Sequence, residues 1–371
     1  MPKAEIGLIG LATMGANLAR NISNKGFKTC VFNRSVEKTE AYIKEFGSEN
    51  LIGSKSLKEF VKSLSSPRKI IIMVKAGDPV DSVIEQLIPL LDKGDLIIDC
   101  GNSNFRDTIH RTSKLKEKKL LYLGCGVSGG EEGALHGPSM MPGGSKSSYK
   151  KVEKIFSKIS AKDFQGDPCI TYIGDNGAGH YVKTVHNGIE YGVMELMAEA
   201  YEILRSIYKL SAPEISEIFA GYNRGKLKSY LFEIAVEVLA RKDEFRKGYL
   251  IDHILDKAGQ KGTGRWTAID SLERATGLPT ITEAVFARIT SGDKEVRKKL
   301  SKIYKIPSKK KSIPLAKFIP ILRDAIYAAM LSSYAQGYDL IQKAAMEEKW
   351  EINLSEFLHF LKKHLKKNMN S

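Results

Sequence analysis

Lys183, His186, Asn187 and Glu190 stand at positions i, i+3, i+4 and i+7 of one stretch. On a helix that spacing sets all four on one face. Their neighbours Val182, Val185, Ile189 and Val193 are apolar, so the polar stripe is expected to meet water or a ligand. Taken alone, a Lys/Glu stripe more often belongs to a solvated helix surface. What argues for chemistry is its company. GCGVSGGEEGALHGPSMMPGG fills 124–144, and KGTGRW at 261–266 leaves Lys261 and Thr263 available to an anion. Glycine at such density costs backbone entropy and supplies left-handed conformations and exposed N–H groups. Packing alone is a poor reason for it, so these segments are expected to line a concave polar site.

A second group sits near the N-terminus. Gly10, Ala12 and Gly15 form G-x-A-x-x-G between the apolar run EIGLIG and the helical pattern ATMGANLARNISNKG. The first glycine allows a tight turn, a small second residue admits a pyrophosphate close to the backbone, and the third lets helix and strand pack. The helix N-terminus then faces the anion. The next apolar run, FKTCVF, leads into Asn33-Arg34-Ser35. A carboxylate there would hold a ribose 2′-hydroxyl, whereas arginine pairs with a 2′-phosphate. The residues predict NADP over NAD.

The elements that must position these groups alternate. Apolar runs at 5–10, 27–32, 68–74, 95–100 and 120–127, and the run around CITYIG (169–174), read as strands. Their continuity suits a parallel sheet covered on both faces. Helical patterns lie between them, one capped by Ser35 and one closed by Gly26. This predicts an α/β, Rossmann-like doubly wound domain over 1–177. From 178 to 371 the sequence carries helical spacing without strand signals, which predicts an all-α domain. VHNGIEYGVMELMAEAYEIL resembles AIYAAMLSSYAQGYDLIQKA in the spacing of its small and aromatic residues, a weak internal repeat.

With 371 residues the chain is long enough for two domains. A hydrophobic fraction of 42% excludes a disordered chain. No apolar run is long enough to span a membrane, and no secretory leader opens the sequence. Cys30, Cys100, Cys125 and Cys169 lie far apart without metal-type spacing, which fits a reducing, cytoplasmic setting and no metal site. The net charge of +15 points to an anionic partner. The basic stretch 294–311 and the basic tail read as solvated surface, and no nucleic-acid motif accompanies them.

GLIGLATMGANLARNI, VFNRS, VKAG, IIDCGNS, GVSGGEEGALHGPSMMPGG, VKTVHNGIEYG, AGQKGTGRWTA and EAVFARI together resemble 6-phosphogluconate dehydrogenase, a decarboxylating, NADP-dependent family. The resemblance runs to about residue 350. It implies Lys183 as general base and Glu190 as general acid. It implies a sugar-acid site of Asn102, Ser128, Gly129, Gly130, His186 and Asn187, and a phosphate site of Tyr191, Lys261, Thr263 and Arg288. It implies NADP contacts at Gly10, Ala12, Met14, Gly15, Asn33, Arg34, Ser35, Val74, Lys75, Ala76 and Asn102. The family is a homodimer whose tail brings an arginine and a histidine to the partner's phosphate site. Here the match is expected to fail from INLSEFLHF onward, leaving the helical domain truncated and without that tail. Alternatives at this stage are a related β-hydroxyacid dehydrogenase, or a shortened chain that binds NADP without turnover.

Overall fold

The apolar runs of the first half become one sheet. A computed structural model describes residues 3–163, 165–304 and 313–352. Its strands are β1 (Ile6–Ile9), β2 (Thr29–Phe32), β3 (Leu51–Gly53), β4 (Lys69–Ile72), β5 (Leu96–Asp99), β6 (Leu121–Ser128) and β7 (Ser139–Gly144). They lie in the order β3-β2-β1-β4-β5-β6-β7. All neighbours pair parallel except β6 and β7, which pair antiparallel. Between them run α1 (Thr13–Asn24), α2 (Val36–Phe46), α3 (Leu57–Lys62), α4 (Asp78–Leu87), α5 (Phe105–Glu117) and α6 (Gly130–His136), and after β7 come α7 (Lys146–Lys150) and α8 (Glu153–Ile159). This is the doubly wound plan, with the chain switching direction between β1 and β4.

Alternate strand residues feed two apolar layers. Leu8, Val31, Ile71 and Ile98 pack on one face with Leu18 and Ile22 of α1. Ile9, Cys30, Ile70, Ile72 and Ile97 pack on the other with Phe60 of α3 and Ile84 of α4. Local signals hold at the helix starts. Ser35 Oγ accepts the Lys38 N–H at the head of α2, and Gly26, just past α1, takes φ +88°.

The second half is helical, as expected: α9 (Ala178–Glu202), α10 (Ala212–Asn223), α11 (Tyr230–Ala240), α12 (Leu250–His253), α13 (Thr263–Glu273), α14 (Pro279–Gly292), α15 (Lys294–Ile303) and α16 (Leu315–Glu347). The two similar segments lie on α9 and α16 and meet at small residues. A Cβ at Gly192 would stand 3.0 Å from Ser333 Oγ, and one at Gly337 2.5 Å from Ile189 Cδ1. Close helix contact needs such residues, which accounts for the likeness.

Of the described residues, one compact unit holds 3–184 and 344–352, the other 185–343. The passage between them falls inside α9, after Thr184. Trp350 belongs to the first unit, where its ring lies 5.9 Å from Phe105 and 5.3 Å from Tyr181.

One sequence expectation is corrected. CITYIG forms no strand; it touches β7 through isolated bridges at Ile170 and Gly174, and the strand at that edge is SMMPGG. The described part of the basic stretch is α15, a surface helix with no buried residue, as expected; residues 305–311 and the basic tail lie outside the described residues.

Candidate active site

Strand ends carry the cofactor candidates. Gly10 follows β1 with φ +104°, and a Cβ there would stand 2.4 Å from the Met73 carbonyl oxygen. A Cβ at Gly15 would stand 1.9 Å from the Gly10 carbonyl oxygen. Neither position accepts a side chain, so turn and helix touch backbone to backbone. Ala12 is the N-cap of α1 and offers no capping side chain. The first-turn N–H groups of α1 therefore suit a pyrophosphate. Met14, partly buried, packs against the core beside them.

Asn33 does structural work in this turn. Its Oδ1 accepts the Leu11 N–H at 3.1 Å, and its own N–H donates to Thr39 Oγ1 at 3.1 Å. Arg34 beside it is exposed. Among the described residues it has no hydrogen-bond or ion-pair partner, as a binder of a 2′-phosphate requires. Ser35 is exposed and caps α2, with its hydroxyl donating to Glu37 Oε2 at 2.8 Å. Val74, Lys75 and Ala76 follow β4, with Lys75 exposed. Asn102, also exposed, follows β5. These residues leave the C-terminal ends of parallel strands, where such sheets bind ligands. They fit a dinucleotide, and the exposed cations favour the phosphorylated form.

Behind Asn102 lies a buried network that sequence reading missed. Asp99 ends β5 fully buried. Its carboxylate accepts from the Gly101 N–H (3.0 Å), Ser103 Oγ (2.6 Å), Tyr122 OH (3.0 Å) and Arg111 Nη1 (3.4 Å). Arg111 also makes a bidentate pair with Asp81, at 2.7 and 2.8 Å. Burial pushes the Tyr122 phenol far up, and the Asp99 charge adds to it. A buried ion pair persists only when its remaining donors and acceptors are met, as here. Ser128 ends β6, and Gly129 and Gly130 follow with φ +129° and +61°. Such consecutive left-handed residues turn N–H groups outward.

Lys183 lies on α9 in this same unit and is only 5% exposed. A Cβ at Gly126 of β6 would stand 2.4 Å from the Lys183 Cβ. At Gly143 it would stand 2.2 Å from the Gly179 nitrogen, and at Gly124 2.8 Å from His180 Nδ1. The glycine run thus has a packing reason after all, because α9 rests directly on β6 and β7. Of the polar stripe, Lys183 and His186 are both buried.

The remaining candidates lie in the helical unit. His186 Nδ1 stands 3.6 Å from Glu190 Oε2 and 3.3 Å from Asn187 Oδ1. Asn187 Nδ2 donates to Thr263 Oγ1 at 3.2 Å. The Glu190 side chain is 38% exposed. The Arg288 guanidinium covers the Tyr191 ring at 3.7 Å and donates to the Gly259 carbonyl at 2.9 Å. Gly264 lets α13 close on Tyr191, where a Cβ would stand 2.5 Å from its ring. Gly262 caps α13 with φ +109°. Lys261 precedes it, exposed. His186, Asn187, Glu190 and Thr263 are thus joined by contacts, and Tyr191 with Arg288.

A family model described as the NAD binding domain of 6-phosphogluconate dehydrogenase matches residues 5–174, and one described as that enzyme's C-terminal domain matches 179–363. The decarboxylating 6-phosphogluconate dehydrogenase of Lactococcus lactis is 49% identical over 353 residues, which is 95% of this chain and 75% of that protein. The NADP(+)-dependent decarboxylating enzyme of Bacillus subtilis is 49% identical over 360 residues, 96% of this chain and 76% of that one. Among solved structures, Plasmodium falciparum 6-phosphogluconate dehydrogenase, studied in its apo form and with NADP+ and 6-phosphogluconate, superposes with a TM-score of 0.91 at 44% identity. It covers 96% of this chain and 77% of its own. The 3-hydroxyisobutyrate dehydrogenase of Mycobacterium tuberculosis shares the fold, with 19% identity and a TM-score of 0.59 over 78% of this chain and 94% of that one. The match through residue 363 corrects the expectation that resemblance fails from Ile352 onward.

Proposed function

The chain belongs to the 6-phosphogluconate dehydrogenase family, and from that premise we propose that it oxidises and decarboxylates 6-phospho-D-gluconate to D-ribulose 5-phosphate and CO2, reducing NADP+ to NADPH. The carrying observation is Lys183, buried on α9 against Gly126, on the same helix as His186, Asn187 and Glu190. Bound NADP+ supplies the hydride acceptor. Neutral Lys183 takes the proton of the carbon-3 hydroxyl as that hydride leaves carbon 3. In the resulting 3-keto acid the carbon 1–carbon 2 bond breaks and its electron pair enters an enolate. The lysine ammonium stabilises the enolate oxygen. Glu190 then delivers a proton to the carbon that lost CO2, completing the ketone. Asn102, Ser128, Gly129, Gly130, His186 and Asn187 orient the sugar acid, and Tyr191, Lys261, Thr263 and Arg288 hold its phosphate. Gly10, Ala12, Met14, Gly15, Asn33, Arg34, Ser35, Val74, Lys75, Ala76 and Asn102 hold NADP.

A homodimer is part of this reading, supported by apolar side chains left exposed on the helical unit, among them Leu272, Phe286, Ile321 and Leu331. A cytoplasmic setting is supported by the free cysteines, which are all buried. Among the described residues no helix is long and apolar enough to cross a membrane.

The test follows NADPH absorbance with purified chain, 6-phosphogluconate and NADP+. Sustained NADPH formation, absent from Lys183→Ala, is expected. No turnover, with NADP+ still binding in a titration, would reduce the chain to a cofactor-binding protein.

A further inference from the structure

A general base acts from a fixed place, and a lysine side chain has four rotatable carbons to fix. One helical turn before Lys183 on α9 stands His180, buried at 1% exposure and used by no step above. Its Nε2 lies 3.1 Å from the main-chain oxygen of Asp99, and its Nδ1 lies 2.7 Å from Thr108 Oγ1. A carbonyl oxygen only accepts, so Nε2 carries the proton and Nδ1 accepts from the threonine hydroxyl. Burial lowers the His180 pKa, in keeping with a neutral ring.

Two registers meet at this point. Gly124 and Gly126 are two apart on β6 and share its face, while His180 and Lys183 are three apart on α9 and share its side. The histidine ring fills the space over Gly124, at 2.8 Å from a Cβ there, and the lysine stem fills the space over Gly126, at 2.4 Å. The bond from His180 ends on Asp99, whose carboxylate holds Gly101 and Ser103 on either side of Asn102.

We propose that His180 is a positioning residue, whose bond to the Asp99 main chain locks the turn of α9 bearing Lys183 to the strand end that presents Asn102. Base and substrate-orienting amide then keep one geometry through turnover. This rests on the reading of Lys183 as general base.

The test uses the full chain and four variants: His180→Leu, which removes both bonds at similar volume, His180→Gln, which keeps an N–H donor near the Nε2 position, Thr108→Val and Lys183→Met. The readouts are kcat, both KM values, the isotope effect with substrate deuterated at carbon 3, and Tm. Misplacing a reacting group by about 1 Å costs on the order of a hundredfold, so H180L is expected to lose about ten- to a hundredfold in kcat. Its isotope effect should rise. H180Q is expected to regain most of the rate. A merely structural histidine would lower Tm without raising the isotope effect. Parental kcat in H180L overturns the proposal, as does equal loss in H180L and H180Q with an unmoved isotope effect. Should H180L fail to fold, T108V decides: reduced kcat with a raised isotope effect supports the lock, and parental kinetics overturn it. An active K183M would instead remove the reading of Lys183 and the proposal with it, whereas inactive K183M beside fully active H180L removes His180 alone.

Discussion

Arg34 and Asn33 are neighbours with opposite fates, and the difference decides which cofactor the site prefers. Asn33 turns inward, accepting the Leu11 N–H and so fixing the turn after β1. Arg34 stays exposed past the end of β2. A guanidinium–phosphate contact contributes about 1.5–3 kcal/mol, so Arg34→Ala should weaken NADP+ binding by about ten- to a hundredfold. NAD+, which lacks the 2′-phosphate, should bind nearly as before. Titration with both cofactors checks this, and equal losses would remove Arg34 from phosphate recognition. Arg34 was legible because its distance from Gly10 follows from strand–helix–strand geometry. Asp99, His180 and Arg111 were not. Each is a single polar residue inside an apolar or mixed run, and a lone buried polar group leaves no period in the sequence. Their meaning lies in contacts spanning up to 81 positions, as between His180 and Asp99.

At the scale of elements the glycines are the informative residues. The parallel strands were readable because strands buried on both faces read as near-continuous apolar runs; β1 is buried at every residue, and so is β5, whose one charged residue is the terminal Asp99. β7 was not, because SMMPGG has no β-branched residue and contains a proline, which marks an edge strand. CITYIG has the strand composition yet makes only isolated bridges, an instance of neighbours overriding propensity. The same lack of side chains that hides β7 lets α9 approach the sheet. Gly179 is a tight point of this contact, since a Cβ there would stand 2.4 Å from the Met141 oxygen and 2.7 Å from the Gly124 oxygen. Both obstacles are backbone, so neither moves aside cheaply. Gly179→Ala should therefore lift the start of α9, costing about 1–3 kcal/mol or more. It should lower both Tm and kcat, because Lys183 rides on the same helix. Gly277→Ala, where nothing stands within 4 Å, is the matched control. A G179A chain with parental Tm would mean that α9 does not rest on the sheet at this point.

Taken whole, the chain carries 58 basic and 43 acidic residues, a formal charge of +15, while its proposed substrate and cofactor are both polyanions. Part of the positive charge is neutralised locally. Asp256 is held down to about 2 by hydrogen bonds from Lys294 and Arg297, so the start of α15 is less basic than its sequence suggests. What remains unpaired acts at a distance, and its reach is set by salt. The Debye length falls from about 30 Å at 0.01 M to about 8 Å at 0.15 M. Over that range the excess charge stops raising the local concentration of anions, while charges in direct contact with bound substrate remain effective. The expected signature is a split: kcat/KM for 6-phosphogluconate should fall severalfold to about tenfold as salt rises, and kcat at saturation should hold nearly constant. The arrangement of the first half and the helical character of the second could be read without this charge, and the charge says nothing of fold. It was legible as a preference for anions, and its division between contact and field is what the salt series measures. Initial rates across that range, in the salt of a weakly binding anion, separate the two. A flat kcat/KM would assign anion recognition to the contact residues alone, Arg34, Lys75, Lys261 and Arg288 among them. A kcat that fell in parallel would place the salt effect on the folded state instead of on the encounter.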